Sequence, residues 1–205
     1  MSNQMESSSS DDDLDPLKVR QPVVPPASAY FIEERHDREE SRTLSVLVDN
    51  EPGVLARVIG LFSGRGYNIE SLTVSETETA RHLSRITIVT TGTPMVLTQI
   101  RHQLERLVPV HSVTNLSRNG PPLERELALV KVVGAGEHRV EALRLAEAFR
   151  ATVIDATVEH FVFEITGRTS KIQQFISIMT PLGLVEVCRT GVAALSRGTM
   201  GMDHA

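Results

Sequence analysis

The residues best suited to chemistry in this sequence lie in one short loop, residues 49–55, which reads DNEPGVL. The loop stands between an apolar run and an amphipathic run, so it is predicted to end a strand and begin a helix. The backbone N–H groups of Gly53, Val54 and Leu55 would then lie at a helix N-terminus, where unpaired donors and the positive end of the helix dipole attract a carboxylate. The loop therefore suggests a site for a small amino acid.

Two asparagines add amide groups to this chemistry. Asn50 lies inside the loop, and Asn68 follows the amphipathic run in the segment YNI. An amide side chain accepts a hydrogen bond from an ammonium group or donates one to a carboxylate, and Gly53 would let a ligand approach the backbone. The same residues suit a purely structural role, with Asn50 forming the turn and Gly53 capping the helix. Their spacing favours neither interpretation.

The sequence lacks the patterns that catalysis or metal binding requires. Its seven histidines include no pair at HxH or HxxxH spacing, and Cys188 is its only cysteine. Neither a GxSxG nucleophile motif nor a phosphate loop ending in GKS or GKT occurs, and the run Gly134-Ala135-Gly136 lacks the third glycine of a dinucleotide-binding turn. We therefore expect a protein that binds a ligand rather than an enzyme, with no metal and no cofactor of its own.

Composition and charge limit the class of partner. The 205 residues are 40% hydrophobic, enough for one or two folded domains, and include two Tyr, six Phe and no Trp. The net charge of −5 comes from residues 1–41, which hold ten acidic and four basic side chains, whereas residues 42–205 are close to neutral. Because a basic stripe and an aromatic platform are both missing, no nucleic-acid partner is expected.

The ends and the apolar runs of the sequence bear on its location. No apolar run approaches the roughly 18 residues that a membrane helix needs, and the start, MSNQMESSSSDDD, lacks the basic and apolar parts of a signal peptide. We therefore expect no membrane association and a location in the cytoplasm or an organelle matrix. Residues 1–41 are rich in Ser, Asp and Pro without sustained periodicity, which predicts a disordered acidic tail.

Residues 42–118 are predicted to form a β-α-β-β-α-β domain. With right-handed crossovers, this order gives a four-stranded antiparallel ferredoxin-like sheet with its strands in the order 4-1-3-2. The fourth strand contains Pro109, which cannot donate to a ladder and so suits the edge that this topology assigns to it. The predicted elements are strands at 44–48, 68–77, 83–90 and 108–115 and helices at 53–65 and from Pro94.

The first of these helices has the clearest periodicity. Its apolar positions recur at i, i+3, i+4 and i+7 and are expected to face the core. They are Leu55, Val58, Ile59 and Phe62. Pro52 suits the first helical turn, where its missing N–H costs nothing, and Gly66 suits the left-handed cap that ends the helix.

Residues 123–198 repeat the same order after a linker at 118–122. The predicted elements are strands at 127–133, 151–156, 159–166 and 184–190 and helices at 137–150 and around 172–179. Cys188 falls on the last strand, where packing is a better interpretation than chemistry. The sequence thus predicts an α+β protein with two tandem ferredoxin-like βαββαβ domains, preceded by the tail.

Several stretches of the sequence resemble one known family. DNEPGVLARVIGLFSGRGYNIESL at 49–72 and HLSRITIVT at 82–90 resemble the ACT domain of the small, regulatory subunit of acetohydroxyacid synthase, also called acetolactate synthase. The resemblance continues through ERELALVKV at 124–132 and closes with VEVCRTGVAALSRG at 185–198. It leaves only the acidic tail and the last residues outside.

This resemblance implies a non-catalytic subunit that activates a separate catalytic large subunit of acetolactate synthase. It also implies that the chain confers feedback inhibition by valine or another branched-chain amino acid, leucine or isoleucine. Thiamine diphosphate, FAD and magnesium would belong to the catalytic partner. In the family, two ACT domains pair side by side as a homodimer, and the effector lies at their interface.

The resemblance also assigns roles to single residues. Asn50, Gly53 and Asn68 match effector-binding positions of the family, with Asn68 contributed across the dimer. The whole expected effector-binding set is Asn50, Gly53, Val54, Leu55, Asn68 and Ile69.

Two other functions are alternatives to a regulatory subunit. One is a free-standing tandem-ACT amino-acid sensor that controls gene expression, which a basic surface would favour. The other is RNA binding through the sheet, which requires aromatic side chains on the central strands. Ile86 and Ile88 stand on the predicted third strand instead.

Overall fold

The first half of the chain forms a four-stranded antiparallel sheet with the strand order β2-β3-β1-β4, as predicted. The protein is described here as a computed structural model that covers residues 38–78, 82–199 and 201. Its elements in this half are β1 (Glu40–Asp49), α1 (Val54–Ser63), β2 (Ser71–Glu78), β3 (Leu83–Gly92), α2 (Pro94–Glu105) and β4 (Val110–Asn115). Most of the predicted tail, and residues 79–81 of the hairpin between β2 and β3, lie outside the described residues.

The central strand β1 is buried on both faces. Leu44, Val46 and Val48 pack in the core with the helices, and Thr43 and Ser45 are buried on the opposite face. The alternation of apolar side chains with small polar ones therefore marks a strand with a cover on each side. The strand begins at Glu40, inside the predicted tail.

Helix α1 turns a different face to the core from the one predicted. Val54, Val58 and Phe62 are buried, whereas Leu55 is 37% and Ile59 36% exposed. The predicted stripe was wrong in these two positions because a run with so many apolar residues fits more than one face. The structure buries the i, i+4, i+8 row and leaves two apolar side chains at the surface.

The turn before α1 also differs from the prediction. Pro52 lies outside the helix, which begins at Val54, and Gly53 stands at the N-cap position with φ 87° and ψ −10°. The Val54 N–H donates to the Glu51 carbonyl at 3.4 Å. Proline followed by a glycine with these angles forms a type II turn, so Pro52 orders the turn rather than the helix. At the other end of the helix, Gly66 has φ 69°, as its predicted left-handed role requires.

Both edge strands start later than predicted. Strand β2 begins at Ser71, so Asn68 lies in the connection ahead of it, and β4 begins at Val110, so Pro109 precedes that strand. The position of β4 at the sheet edge is nevertheless confirmed by the strand order. The Pro109 carbonyl accepts the Asp49 N–H at 2.9 Å, which ties the end of β1 to the entrance of β4.

The second half repeats the architecture with the strand order β6-β7-β5-β8. Its elements are β5 (Leu123–Val133), α3 (Gly136–Ala148), β6 (Thr152–Ala156), β7 (His160–Gly167), α4 (Thr169–Met179) and β8 (Leu184–Arg189). Phe163 and Phe175 meet edge to face in its core, with ring centroids 6.0 Å apart. Cys188, which was expected to pack, is exposed. No helix among the described residues is long and apolar enough to cross a membrane.

A short ninth strand, β9 (Ala193–Leu195), was not predicted and joins the two halves. It pairs with Leu123–Arg125 at the start of β5. Beside it, Val192 and Ala194 pack with Leu116 and Val89 of the first half. The chain therefore returns from β8 to the back of the first sheet, which explains how the polar back face of β1 is buried.

Replacing Gly183 by Ala is expected to destabilise the second half strongly. Gly183 has φ 103°, and a Cβ there would lie 1.9 Å from the carbonyl oxygen of Val133. A left-handed backbone costs about 1–2 kcal/mol for a residue with a side chain, and the clash with backbone should raise the total to about 3 kcal/mol or more. Urea unfolding of the Gly183→Ala variant measures this loss.

The matched control is Gly120→Ala, because Gly120 has φ 100° and nothing within 4 Å of the added Cβ. It should lose only the conformational part, about 1–2 kcal/mol. Equal losses in the two variants would show that the contact between Gly183 and Val133 does not constrain the fold.

Candidate ligand site

The loop before α1 presents an open helix N-terminus. No side chain caps this end of the ten-residue helix, and its first turn contains no acidic residue. The first N–H groups of a helix have no partner within it, and the helix dipole makes this end attractive to an anion. The N–H of Val54 is engaged in the turn by the Glu51 carbonyl, so the next N–H groups, from Leu55 onward, are better placed to bind a carboxylate.

Hydrogen bonds from both neighbouring strands hold the loop in place. The Asn50 N–H donates to the His82 carbonyl at 2.7 Å, where β3 begins, and the Asp49 N–H donates to Pro109 ahead of β4. His111 Nε2 lies 2.6 Å from the Asp49 carboxylate. Backbone anchors on each side leave the Asn50 side chain exposed at the mouth of the loop.

The residues next to Gly53 divide into a core residue and a surface residue. Val54 is buried in the core, so only its backbone is available to a ligand. Leu55 is exposed and offers an apolar contact beside the helix N-terminus. A Cβ at Gly53 would meet nothing within 4 Å, so a side chain at this position would enter the space in front of the loop.

The second group of predicted residues lies just before β2. The Asn68 carbonyl accepts a hydrogen bond from Thr90 Oγ1 at 2.6 Å, and Thr90 itself is fully buried. Ile69 is half-buried against the first core, and the Glu70 N–H donates to the Val89 carbonyl at 2.8 Å. The Asn68 side chain is exposed on a backbone that the end of β3 fixes.

One chain does not bring the two groups together. Asn50 is bonded to His82 and Asn68 to Thr90, at opposite ends of β3. Eight residues of strand separate these two contacts, a distance of roughly 26 Å. An amino acid is far too short to reach from one group to the other. The predicted site residues therefore form two separate groups, which we call the two half-sites, and a ligand that contacted both would have to bind between two chains.

The free edge of β2 lies between the two half-sites. Within the described residues β2 pairs only with β3, so its outer backbone groups are open to another strand. Val74 on this strand is 43% exposed, and Leu55 and Ile59 of α1 are exposed as well. An unpaired strand edge with exposed apolar side chains is typical of a surface that pairs with a second chain.

The structure also shows an ion pair between a buried carboxylate and a partly exposed arginine, which the sequence did not predict. Glu126 is 3% exposed, and its two carboxylate oxygens accept from Arg189 Nε at 2.7 Å and Nη2 at 2.8 Å. This hydrogen bonding raises the pKa of Arg189. Glu126 occupies a core-facing position in the alternation that continues through Ala128 and Val130. A charge in such a position is the signal that could have revealed the pair.

A cavity of about 380 Å³ lies beside this ion pair, between the start of β2 and the second half. Its lining includes Glu70, Ser71, Glu126, Arg189 and Gly191. Within the described ranges, no group of three or more His, Cys, Asp or Glu side chains is arranged to hold a metal ion.

Comparison with known proteins identifies related sequences for both halves. Residues 44–112 match the family model described as the AHAS small subunit-like ACT domain, and residues 125–198 match the model for the small subunit of acetolactate synthase. The two matches together include both half-sites, the ion pair and the returning segment after β8.

Individual relatives match over most of their length. The chain is 49% identical over 158 residues to the acetolactate synthase isozyme 3 small subunit of Escherichia coli, covering 77% of this chain and 96% of the relative. It is 44% identical to a probable acetolactate synthase small subunit of Archaeoglobus fulgidus, with 76% and 96% covered. The crystal structure of the Thermotoga maritima acetolactate synthase small subunit superimposes with a TM-score of 0.72 at 39% identity, covering 78% of this chain and 99% of that one.

The Thr90→Val variant should loosen the half-site at Asn68 while preserving the fold. Valine keeps the buried shape of Thr90 but removes the donor to the Asn68 carbonyl. A hydrogen bond contributes about 0.5–1.5 kcal/mol, so the Glu70 amide should exchange about two- to tenfold faster. Amide hydrogen exchange measured by NMR gives this rate.

Thr98→Val is the matched control, because Thr98 Oγ1 donates to the Pro94 carbonyl at 2.8 Å on α2. It removes a bond of the same kind and should leave exchange at Glu70 unchanged. If the control accelerates the Glu70 amide as much as Thr90→Val does, Thr90 has no specific role at this half-site.

Proposed function

The chain belongs to the family of acetolactate synthase small subunits, and on that premise we propose that it activates a separate catalytic subunit and makes it sensitive to valine or another branched-chain amino acid. In this role it contributes no catalytic group, and the thiamine diphosphate, FAD and magnesium of the reaction are held by the catalytic large subunit. The chain acts where that subunit acts, in the cytoplasm or an organelle matrix.

The separation of the two half-sites is the observation that supports this function best. Strand β2 runs from the end of the sheet that carries Asn68 to the end that carries Asn50, since Ser71 pairs with Val89 and Glu78 with Leu83. If two copies pair antiparallel along their β2 edges, the start of one β2 lies beside the end of the other. Asn68 of one copy then approaches Asn50 and Gly53 of its partner, and two equivalent composite sites form.

The composite site has the chemistry that an aliphatic amino acid requires. The N-terminus of α1 binds the carboxylate, and the amide oxygens of Asn50 and of Asn68 from the other copy accept from the ammonium group. Leu55 and Ile69 border the space for the aliphatic side chain. One methylene changes the binding free energy by about 1–3 kcal/mol, so valine, leucine and isoleucine should differ in affinity without being exclusive.

A ligand bound between the two β2 edges can also regulate the catalytic subunit. Each composite site takes groups from both copies, so occupancy favours one arrangement of the two sheets over others. The catalytic subunit responds to the ligand when it binds one of these arrangements more tightly.

Reconstitution tests the function directly. The wild-type chain, mixed with its catalytic subunit, should raise acetolactate production, and added valine should lower it. Gly53→Asp should preserve activation and abolish inhibition, because aspartate tolerates a positive φ and its side chain has open space here. Its charge repels the carboxylate from the helix N-terminus, and loss of a charged hydrogen bond of about 1.5–3 kcal/mol lowers valine affinity at least about tenfold.

Gly120→Asp is the control for Gly53→Asp, because it places the same residue on a similarly open, left-handed backbone in the linker. It should retain both activation and inhibition. Calorimetry that finds full valine affinity in Gly53→Asp would refute the site, and a wild-type chain that leaves acetolactate production unchanged would refute the regulatory function.

Mixing two variants that each lose valine binding tests the composite nature of the site. Gly53→Asp and Asn68→His each spoil both sites of their own dimer, the second by replacing the amide with a larger ring. A mixed dimer has one site with both changes and one site with neither. Random exchange of the two variants should therefore restore about a quarter of the wild-type valine sites. No recovery after confirmed subunit exchange would mean that both half-sites act within one chain or that one of them is not used.

A further inference from the structure

A four-residue segment, Arg189–Val192, joins the second half of the chain to the first, and we call it the bridge segment. One end is fixed to β5. Arg189 makes its two-pronged ion pair with Glu126, and the Thr190 N–H donates to the Leu127 carbonyl at 3.0 Å. Thr190 Oγ1 accepts the Leu127 N–H at 3.2 Å. This end therefore moves with the second sheet.

The other end of the bridge segment is fixed to β2. The Val192 N–H donates to Ser71 Oγ at 2.8 Å, and Thr73 Oγ1 donates to the Val192 carbonyl at 3.0 Å. Ser71 and Thr73 are two residues apart on one face of the strand, so their hydroxyls bind both polar groups of a single backbone residue. Together they give Val192 the pair of hydrogen bonds that a neighbouring strand would supply.

Gly191 allows this close approach. It has φ 82°, and a Cβ would lie 2.9 Å from Ser71 Oγ, 3.0 Å from Thr73 Oγ1 and 3.3 Å from the Leu72 carbonyl oxygen. Both the backbone angle and the available space favour glycine. The hydroxyls of β2 therefore contact the backbone of the bridge segment with no side chain between them. We call this contact of Ser71 and Thr73 with Val192 the joint.

The strand that holds the bridge segment continues directly from a half-site. Asn68 lies three residues before Ser71, and the connection is fixed to β3 through Thr90 and Val89. The free edge of the same strand is the one that pairs with a second copy in the proposed dimer. A ligand bound across this edge would contact groups next to β2, and β2 contacts the bridge segment through its own hydroxyls.

We propose that Ser71 and Thr73 are positioning residues that transmit effector binding to the second half of the chain through Val192. This inference rests on the proposed regulatory function. Energetic coupling between distant sites requires an element that both of them bias. The bridge segment is placed to act as such an element, because β2 holds one end and the Glu126–Arg189 pair holds the other.

Packing and hydrogen bonds both hold the bridge segment against the first half. Val192 is buried against Leu116 and Val89, whereas the cavity of about 380 Å³ lies beside Ser71 and Gly191. The hydroxyl groups of Ser71 and Thr73 supply the hydrogen bonds between β2 and this segment. A second bond between the halves joins Thr43 Oγ1 to the Glu124 carboxylate at 2.5 Å. Thr43 lies on the central strand β1, away from the edge where the effector binds, so this bond holds the halves together without sensing the ligand.

The test compares valine affinity in two states of the full-length chain. Calorimetry gives the valine Kd of the free chain and of the chain in complex with its catalytic subunit. In the wild type these values should differ by the coupling factor, about 5- to 150-fold. In the double variant Ser71→Ala, Thr73→Val the free chain should bind valine as the wild type does, whereas the ratio should fall to within about twofold of one. Activation should persist and inhibition should weaken accordingly.

Thr43→Val is the matched control, because it also removes one threonine hydroxyl that bonds across the two halves. It should keep the wild-type ratio. Hydrogen exchange gives a readout that does not need the catalytic subunit. Valine should change the exchange of the Val192 amide in the wild type and in Thr43→Val, but not in the double variant. Should the double variant fold poorly, Ser71→Ala alone removes the acceptor of the Val192 N–H. It should bring the ratio of the two valine Kd values to between the wild-type value and one.

The outcomes separate the two proposals. A wild-type chain without coupling between valine and the catalytic subunit overturns the regulatory function and this inference with it. A wild-type chain that shows coupling, together with a folded double variant that retains it, overturns the inference alone. Equal loss in Thr43→Val and in the double variant also overturns it, because any weakening of the joint would then have the same effect.

Discussion

The path of helix α1 along the sheet is the constraint on which the candidate site depends. A right-handed crossover from β1 to β2 must pass over the sheet, so the loop before the helix and the connection after it emerge at opposite ends. The ten residues of α1 cover about 15 Å of this path, and the turns before and after the helix cover the rest. Side-chain movement within one chain therefore cannot bring Asn50 and Asn68 together. The same crossover leaves β2 at the edge, where a second chain has access to it.

Much of the fold follows from local sequence signals that the structure confirms. The strand order, the edge position of β4, the cap at Gly66 and the start of α2 at Pro94 all rest on periodicity, proline or glycine. These signals act within a few residues of the chain, so a sequence contains them in readable form.

The features that the sequence did not predict depend on contacts between distant residues. The choice of Val54 over Leu55 for the core is set by how α1 packs on the sheet. Strand β9 exists because Leu123–Arg125 offers it a partner, and Asn68 lies outside β2 because Val89 and Thr90 of the neighbouring strand hold the connection. For the candidate site, the sequence indicated the residue types, and the structure added that they form two separate groups.

The return of the chain to the back of the first sheet has a consequence for the order of folding during synthesis. The hydroxyl of Ser71 accepts a hydrogen bond from Val192, which lies 121 residues further along the chain. Thr43 and Ser45 are buried on the same back face of the sheet. A domain made early by the ribosome normally folds before the rest has emerged. Here the first sheet can form early, but its back face is covered only after Val192 and Ala194 have been translated, so a translation product interrupted before them would expose a polar sheet face and lack the hydrogen bonds of Ser71 and Thr73 to Val192.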